Sequence, residues 1–350
     1  MTNSTLQKTY SLSFILLLLP IVGFSQFAPP EMLFPSGDPV EYLESEDLDG
    51  DGDMDILGAT CSDPDFVFWL ENMGASGFAE PEILIEGLDC IWPIAFGDID
   101  GNGHTDMVIG ENADYVKVYL NQGNETFVLS ATLTSEAHAI VTLDYDNDGD
   151  LDILTGKDDG LYWHMQWLPG QFFTEQPIFS YSEEILQIET VDIDLDGLKD
   201  VVVQNGATTS WHRYTGPGSL LPPVTLMNNS NGFYIADVDS DGDIDLLDQI
   251  DSWYGLNGMY DLNWYENNGS GNFVSHGLII DSLFMLSAIA DLDADGNQDI
   301  LFIRRYNDLG LSWMQNLGGA SFAPPASVLP EPNVYELSLI HISEPTRPED

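Results

Sequence analysis

Six copies of one nine-residue pattern, Asp-x-Asp-x-(Asp/Asn)-Gly-x-x-Asp, divide this chain and leave little freedom in its architecture. The first starts at Asp47 and the rest at Asp98, Asp144, Asp192, Asp237 and Asp291, spaced 51, 46, 48, 45 and 54 residues apart. A unit repeated with a period near 50 cannot bury its apolar face alone and must stack on its neighbours, as in propellers and other repeat arrays.

The spacing has a chemical reason. Ca²⁺ takes six to eight oxygen ligands at about 2.3–2.6 Å. Acids at positions 1, 3 and 5 can curl around one centre. Gly at position 6 permits the reversal, a carbonyl near position 7 adds an oxygen, and an acid at position 9 closes the shell. The candidate ligands are Asp47, Asp49, Asp51 and Asp55 in the first copy, then Asp98, Asp100, Asn102 and Asp106. Next come Asp144, Asp146, Asp148 and Asp152, followed by Asp192, Asp194, Asp196 and Asp200. The last two sets are Asp237, Asp239, Asp241, Asp245 and Asp291, Asp293, Asp295, Asp299. About one Ca²⁺ per loop is the expectation. Acidic solvated turns are the plain alternative, but six copies in one register argue against it. An EF-hand needs Glu at position 12 between helices. Position 12 here is Gly58, Ile109, Thr155, Val203, Asp248 and Phe302, and the flanks are short aliphatic runs that read as strands.

Residues 1–25 read as a cleavable export signal: Lys8, an apolar core over 14–22 and a Gly-Phe-Ser cleavage site before Gln26. That core is too short to be a stable membrane span, and no other stretch is long and apolar enough. A secreted or cell-surface location is therefore expected. With 59 acidic against 8 basic residues and a net charge of −51, nucleic acid and anionic membranes are excluded as direct partners. Hydrophobic residues still make up 43% of the chain, enough for a packed core rather than a disordered acidic tail.

Each repeat reads as four strands, the first two flanking the acidic loop. The third carries Trp69-Leu-Glu-Asn72, Trp264-Tyr-Glu-Asn267 and Trp313-Met-Gln-Asn316, with Trp163, Trp211 and Val118 at the same place in the other copies. A Phe at 78, 127, 273 and 322 is expected to open the fourth strand. The Trp row is read as packing between adjacent sheets. Loop, flanks and Trp strand together resemble the FG-GAP/VCBS repeat family, whose loops are similar to those of integrin α-subunit propellers. The resemblance covers nearly all of 27–336. It implies an all-β fold, a β-propeller of four-stranded blades, with Ca²⁺ loops joining strands one and two of each blade.

Six full repeats are present. Phe27-Ala-Pro-Pro30 matches Phe322-Ala-Pro-Pro325, so it reads as the orphan outer strand of a seventh blade. Residues 337–350 match no repeat and read as a non-native, adapter-derived tail, leaving 26–336 as the propeller, truncated before its last blade. In that topology Cys61 and Cys90 both fall on the face opposite the acidic loops, either bridged or as free thiols. His138, His164, His212 and His276 read as strand-surface residues, with His164 and His212 in equal register. The longest insertion, 248–261, holds Trp253, Tyr254 and Tyr260, and Arg304, Arg305 and Tyr306 stand at the equivalent place next door. Loops on rigid scaffolds often carry function, so this patch is a candidate ligand site. The expected function is a non-catalytic adhesion or glycan-binding module with an extracellular protein or glycan partner. The alternative is a secreted polysaccharide-degrading enzyme of lyase type.

Overall fold

The structure, a computed structural model, describes residues 40–61, 65–74, 77–111, 115–123, 126–133, 137–206, 208–251, 260–293, 295–304 and 310–327. The expected export signal, the expected strand at 27–30 and the expected tail at 337–350 lie outside these residues. The described chain is all β: a propeller of six four-stranded blades.

Blade 1 comprises Val40–Glu46, Asp55–Thr60, Asp65–Leu70 and Glu82–Leu88. Blade 2 comprises Ile91–Gly97, Asp106–Glu111, Tyr115–Asn121 and Phe127–Leu133. Blade 3 holds Ala139–Leu143, Asp152–Lys157, Gly160–His164 and Gln176–Ser180. A small two-stranded sheet, Gln166–Leu168 with Gln171–Phe172, grows from its third strand. Blade 4 holds Ile185–Val191, Asp200–Asn205, Thr208–His212 and Val224–Asn228. All pairings are antiparallel, and the sequence order of strands one to four is also their spatial order.

Blades 5 and 6 are continuous. Ser230–Ala236, Asp245–Asp251 and Tyr260–Asn267 are followed by an 18-residue strand, Phe273–Ala290. Its first part closes blade 5. Its second part serves as the first strand of blade 6, with Asp299–Arg304, Gly310–Met314 and Ala326–Ser327. Leu283 marks the hand-over, pairing with Tyr260 on one side and Arg304 on the other.

The core lies between blades. Leu57, Val67 and Trp69 of blade 1 pack with Ile91, Met107 and Ile109 of blade 2. Equivalent clusters join blades 2 and 3, 3 and 4, 4 and 5, and 5 and 6. A second strand buried on both faces explains the unbroken apolar runs beside each acidic loop: Asp55–Thr60 and Asp106–Glu111 are buried throughout. Of the Trp row, Trp69, Trp211 and Trp264 belong to these clusters and Trp163 packs against one, while Trp313 is buried to 9% exposure. First strands of neighbouring blades lie together most closely in blades 2, 3 and 4. Polar side chains stitch them: Thr142 Oγ1 donates to Phe96 O at 2.6 Å and Gln187 Nε2 to Phe233 O at 2.9 Å.

The expected strand-opening Phe holds in blades 2 and 5 but not in blades 1 and 6. There Phe78 and Phe322 form single bridges to Asn72 and Asn316. The strand starts only beyond Pro81 and Pro325, because proline has no N–H to give to the ladder. His164 and His212 differ too. They are buried at 2% and 0% exposure, not on the strand surface. His164 shares a hydrogen bond with Thr155 Oγ1 at 3.1 Å. His212 is held between the Tyr181 hydroxyl and the Leu221 carbonyl.

Cys61 and Cys90 form a disulfide with Cα atoms 4.4 Å apart. It ties the end of the second strand of blade 1 to the turn entering blade 2, at the end of the blades away from the acidic loops. For a closed loop of this size, Cys61→Ser/Cys90→Ser is expected to lower unfolding stability by roughly 3 kcal/mol, measured by denaturant titration under non-reducing conditions.

Candidate functional site

All six acidic loops join the first and second strands of a blade and share one internal geometry. The position-1 carboxylate accepts the N–H of the position-6 glycine at 2.9–3.1 Å in every blade. The position-5 side chain accepts the position-7 N–H at 2.8–3.0 Å. The six position-6 glycines have φ between +87° and +100°. A Cβ there would meet nothing within 4 Å, so backbone conformation, not space, demands glycine.

The carboxylates converge. Ligand oxygens of Asp47, Asp49 and Asp51 lie within 4.8 Å of one another, as do those of Asp144, Asp146 and Asp148. In blades 2 and 4 the gathered groups are Asp98, Asp100, Asp106 and Asp192, Asp194, Asp200. Several of these oxygens are buried without a hydrogen-bond partner: Asp98 Oδ1, Asp146 Oδ1, Asp194 Oδ1 and Asp293 Oδ1. Buried carboxylate oxygens without donors are costly unless a cation meets them. An all-oxygen set of this kind fits a hard divalent cation such as Ca²⁺.

Position 9 has a second duty that spacing alone did not reveal. Asp55, Asp106, Asp152, Asp200, Asp245 and Asp299 are buried to 1% exposure or less. In each, Oδ2 accepts the position-2 N–H of its own loop at 2.7–3.3 Å. Oδ1 accepts a backbone N–H just past the Trp strand at 2.6–2.8 Å, from Asn72, Asn121, Gln166, Tyr214, Asn267 and Asn316. Trp264 Nε1 adds a bond to Asp245 Oδ2 at 3.0 Å. The indoles of Trp69, Trp163 and Trp211 favour their charged carboxylates in the same way, short of full bonding geometry.

The residue three past the Trp position also reaches backwards. Gln166 Nε2 donates to Ile99 O at 2.9 Å, Tyr214 Oη to Tyr145 O at 2.8 Å, Asn267 Nδ2 to Ile193 O at 2.7 Å and Asn316 Nδ2 to Val238 O at 2.7 Å. Each acceptor is position 2 of the preceding blade's loop. The Asn of the Trp-x-x-Asn word was visible in the sequence. Its partner was not, because it lies 74 or 78 residues away.

The insertion patch is only partly described. Trp253, Tyr254, Arg305 and Tyr306 lie outside the described residues. Tyr260 is half-buried against the core between blades 5 and 6, and its backbone stands one strand away from that of Arg304, across Leu283. A different concavity is fully described. A groove of about 510 Å³ runs between blades 5 and 6, lined by Trp264, His276, Leu278, Phe322 and Pro324 among others. His276 stacks on Trp264 with centroids 4.2 Å apart and contacts the Glu266 carboxylate through Nε2. The Trp and Phe registers could have pointed to it, but their convergence depends on how adjacent blades pack.

Burial is the main cause that raises all six position-9 carboxyls to about 6. A folded value above the unfolded one of about 4 stabilises the metal-free fold below that pH and is lost as pH rises through about 6. Burial lowers His164 and His212 to about 4, and their contribution runs the other way, fading as pH falls through that value. Six carboxyls outweigh two imidazoles, so metal-stripped protein should melt a few degrees higher near pH 5 than near pH 7, read by scanning calorimetry in chelator. Gly149→Ala, which forces a side chain into a left-handed conformation, should cost about 1–2 kcal/mol in the same assay.

A family model described as an FG-GAP-like repeat matches residues 47–109, 98–155, 144–203 and 192–247. No curated protein matches the chain. Among solved structures, an Agrocybe aegerita lectin described as recognising non-reducing terminal N-acetylglucosamine superposes with TM-score 0.68 at 18% identity. The match covers 93% of this chain and 90% of that one. The BP39L lectin of Burkholderia pseudomallei gives TM-score 0.58 at 16% identity, covering 87% and 88%. BBS1N, solved in complex with ARL6DN, gives 0.52 at 10%, covering 81% of each. At these identities the structural likeness speaks for the propeller fold alone. The matched repeats run from residue 47 to 247 of 350, and the chain therefore belongs to the FG-GAP-like repeat family.

Proposed function

We propose that this protein is an exported, calcium-stabilised binding module that captures glycan without chemically altering it. The observation that carries this reading is the groove between blades 5 and 6. Its Leu278, Phe322 and Pro324 surfaces suit the apolar face of a sugar ring. The His276 ring, stacked on Trp264, and the Glu266 carboxylate beside it are partly exposed and offer hydrogen-bond partners for hydroxyls. Similarity to two lectins supports the ligand class, and one of them is described as recognising terminal N-acetylglucosamine. The net charge of −51 favours neutral over acidic sugars.

Calcium, in this reading, is a structural partner rather than a reagent. The loops would hold it through positions 1, 3 and 5, with position 9 either adding an oxygen or acting only as the backbone clamp. When bound, the ion supplies positive charge to a crowded set of carboxylates. Binding to the native state alone stabilises it by linkage. The leader 1–25 would deliver the protein to a calcium-rich exterior, where sites of this kind often have Kd near ~10⁻⁴–10⁻³ M.

Two outcomes are expected. A neutral-glycan array should bind the wild type, while His276→Ala, which leaves every acidic loop intact, should lose at least about tenfold in affinity with its melting temperature nearly unchanged. Equal binding by the variant removes the groove from consideration. Separately, chelation at neutral pH should lower the melting temperature by several degrees, and added Ca²⁺ should restore it; a curve indifferent to both would remove the structural role of calcium.

A further inference from the structure

The six loops are alike in backbone but not in charge. Blades 1, 3 and 5 have Asp at position 7 as well: Asp53, Asp150 and Asp243. Blade 4 has Leu198 there and a basic Lys199 at position 8. The residue two past the Trp position also differs from blade to blade: Glu71, Leu120, Met165, Arg213, Glu266 and Gln315. In blades 4 and 6 this side chain reaches position 3 of its own loop. Gln315 Nε2 donates to Asp293 Oδ2 at 2.5 Å in blade 6. In blade 5, Glu266 stands close enough to Asp239 to act on it as a like charge.

In blade 4 the same place holds a cation. Arg213 Nε is ion-paired with Asp194 Oδ2, and Nη2 donates to Asp196 Oδ2 at 3.0 Å. One guanidinium thus spans positions 3 and 5, two of the three carboxylates that a cation at the loop centre would need. Asp194 is nearly buried, its side chain 7% exposed, while that of Arg213 is 43% exposed, so water screens the pair from the guanidinium side only. Arginine stays charged at any physiological pH and its fork suits two carboxylates at once.

We propose that Arg213 is a built-in counter-ion which replaces calcium in the fourth loop, making blade 4 the one whose fold does not depend on the metal. This rests on the reading that the other loops take Ca²⁺. The guanidinium takes Oδ2 of Asp194 and of Asp196; Asp194 still gathers with Asp192 and Asp200, but the fixed positive charge beside them repels a divalent ion approaching that centre. Lys199 adds a second, exposed positive charge. The expected effect is a site weaker by roughly tenfold or more than that of blade 3, whose loop has five acids and no base. A permanent cation at one loop would also keep part of the ring intact when calcium is scarce.

The test compares ion counts on the full chain by calcium titration calorimetry and native mass spectrometry at millimolar Ca²⁺. Asp144→Ala, in blade 3, should lose one bound ion. Asp192→Ala, in blade 4, should lose none. Arg213→Gln and Arg213→Glu should each gain one, with a larger melting-temperature drop on chelation than the wild type shows. If Asp192→Ala loses an ion, or if both folded Arg213 variants gain none, the counter-ion role is overturned while calcium binding stands. If the wild type and Asp144→Ala both bind no calcium, the calcium reading itself fails and takes this inference with it. Should the Arg213 variants fail to fold, the contrast between Asp144→Ala and Asp192→Ala decides alone.

Discussion

A buried aspartate at the mouth of each second strand holds this molecule together. Its two oxygens grip two backbone N–H groups, one from the acidic loop and one from the chain leaving the Trp strand. Hydrogen bonds to a charged group contribute about 1.5–3 kcal/mol each, and one left unmade would strand a charge in the interior. The grip therefore sets loop and third strand in one relation, six times over. From that fixed point, in blades 3 to 6, the side chain of the gripped residue reaches the previous blade's loop, as Asn267 does to Ile193 O. Local folding of a loop and angular placement of a blade are thus one event. The hydrophobic clusters between blades supply the driving force, but they are non-directional. These polar links choose the register in which the clusters meet.

The same plan divides the propeller into two unlike ends. Every acidic loop lies where first strands end and second strands begin, so the acids gather at one end. The Cys61–Cys90 disulfide belongs to the other. Crowding carboxylates at one end raises an electrostatic cost that the fold answers in more than one way. Backbone N–H groups meet part of it, burial keeps some carboxyls near their titration point, and in blade 4 an arginine meets part of it directly. A hard divalent ion is the remaining answer that the all-oxygen donor set suits.

Departures from regularity sit where blades 3, 5 and 6 are concerned. Blade 3 grows a small hairpin, and Gly170 N–H donates to Gln166 Oε1 at 2.7 Å to close it. Blades 5 and 6 share one 18-residue strand, so they are joined by a continuous backbone ladder as well as by side chains. The groove proposed for ligand lies at this seam. Its walls come from a stiff sheet on one side and the Phe322–Pro325 segment on the other, where prolines remove ladder donors and leave the blade edge short.

The all-β propeller was legible through resemblance to a known repeat family; by itself the sequence determined the repeat, the number of acidic loops and the strands on either side of them. These follow from short-range chemistry: nine residues specify a loop, and β-branched and aliphatic runs beside it specify strands. It also marked positions 1, 3, 5 and 9 as an expected oxygen cage, since bringing them together needs only local turns. Tertiary structure alone decided what lay between units. The clamp by Asp55 and its five counterparts, the backward reach of Asn316 to Val238, the burial of His164 and His212 and the Arg213 pairing all join residues that spacing does not relate. The merger of two blades into one sheet was likewise invisible, because a turn and a continuous strand can be written with the same residues over 281–286. Packing against the neighbouring blade, not local preference, made that choice.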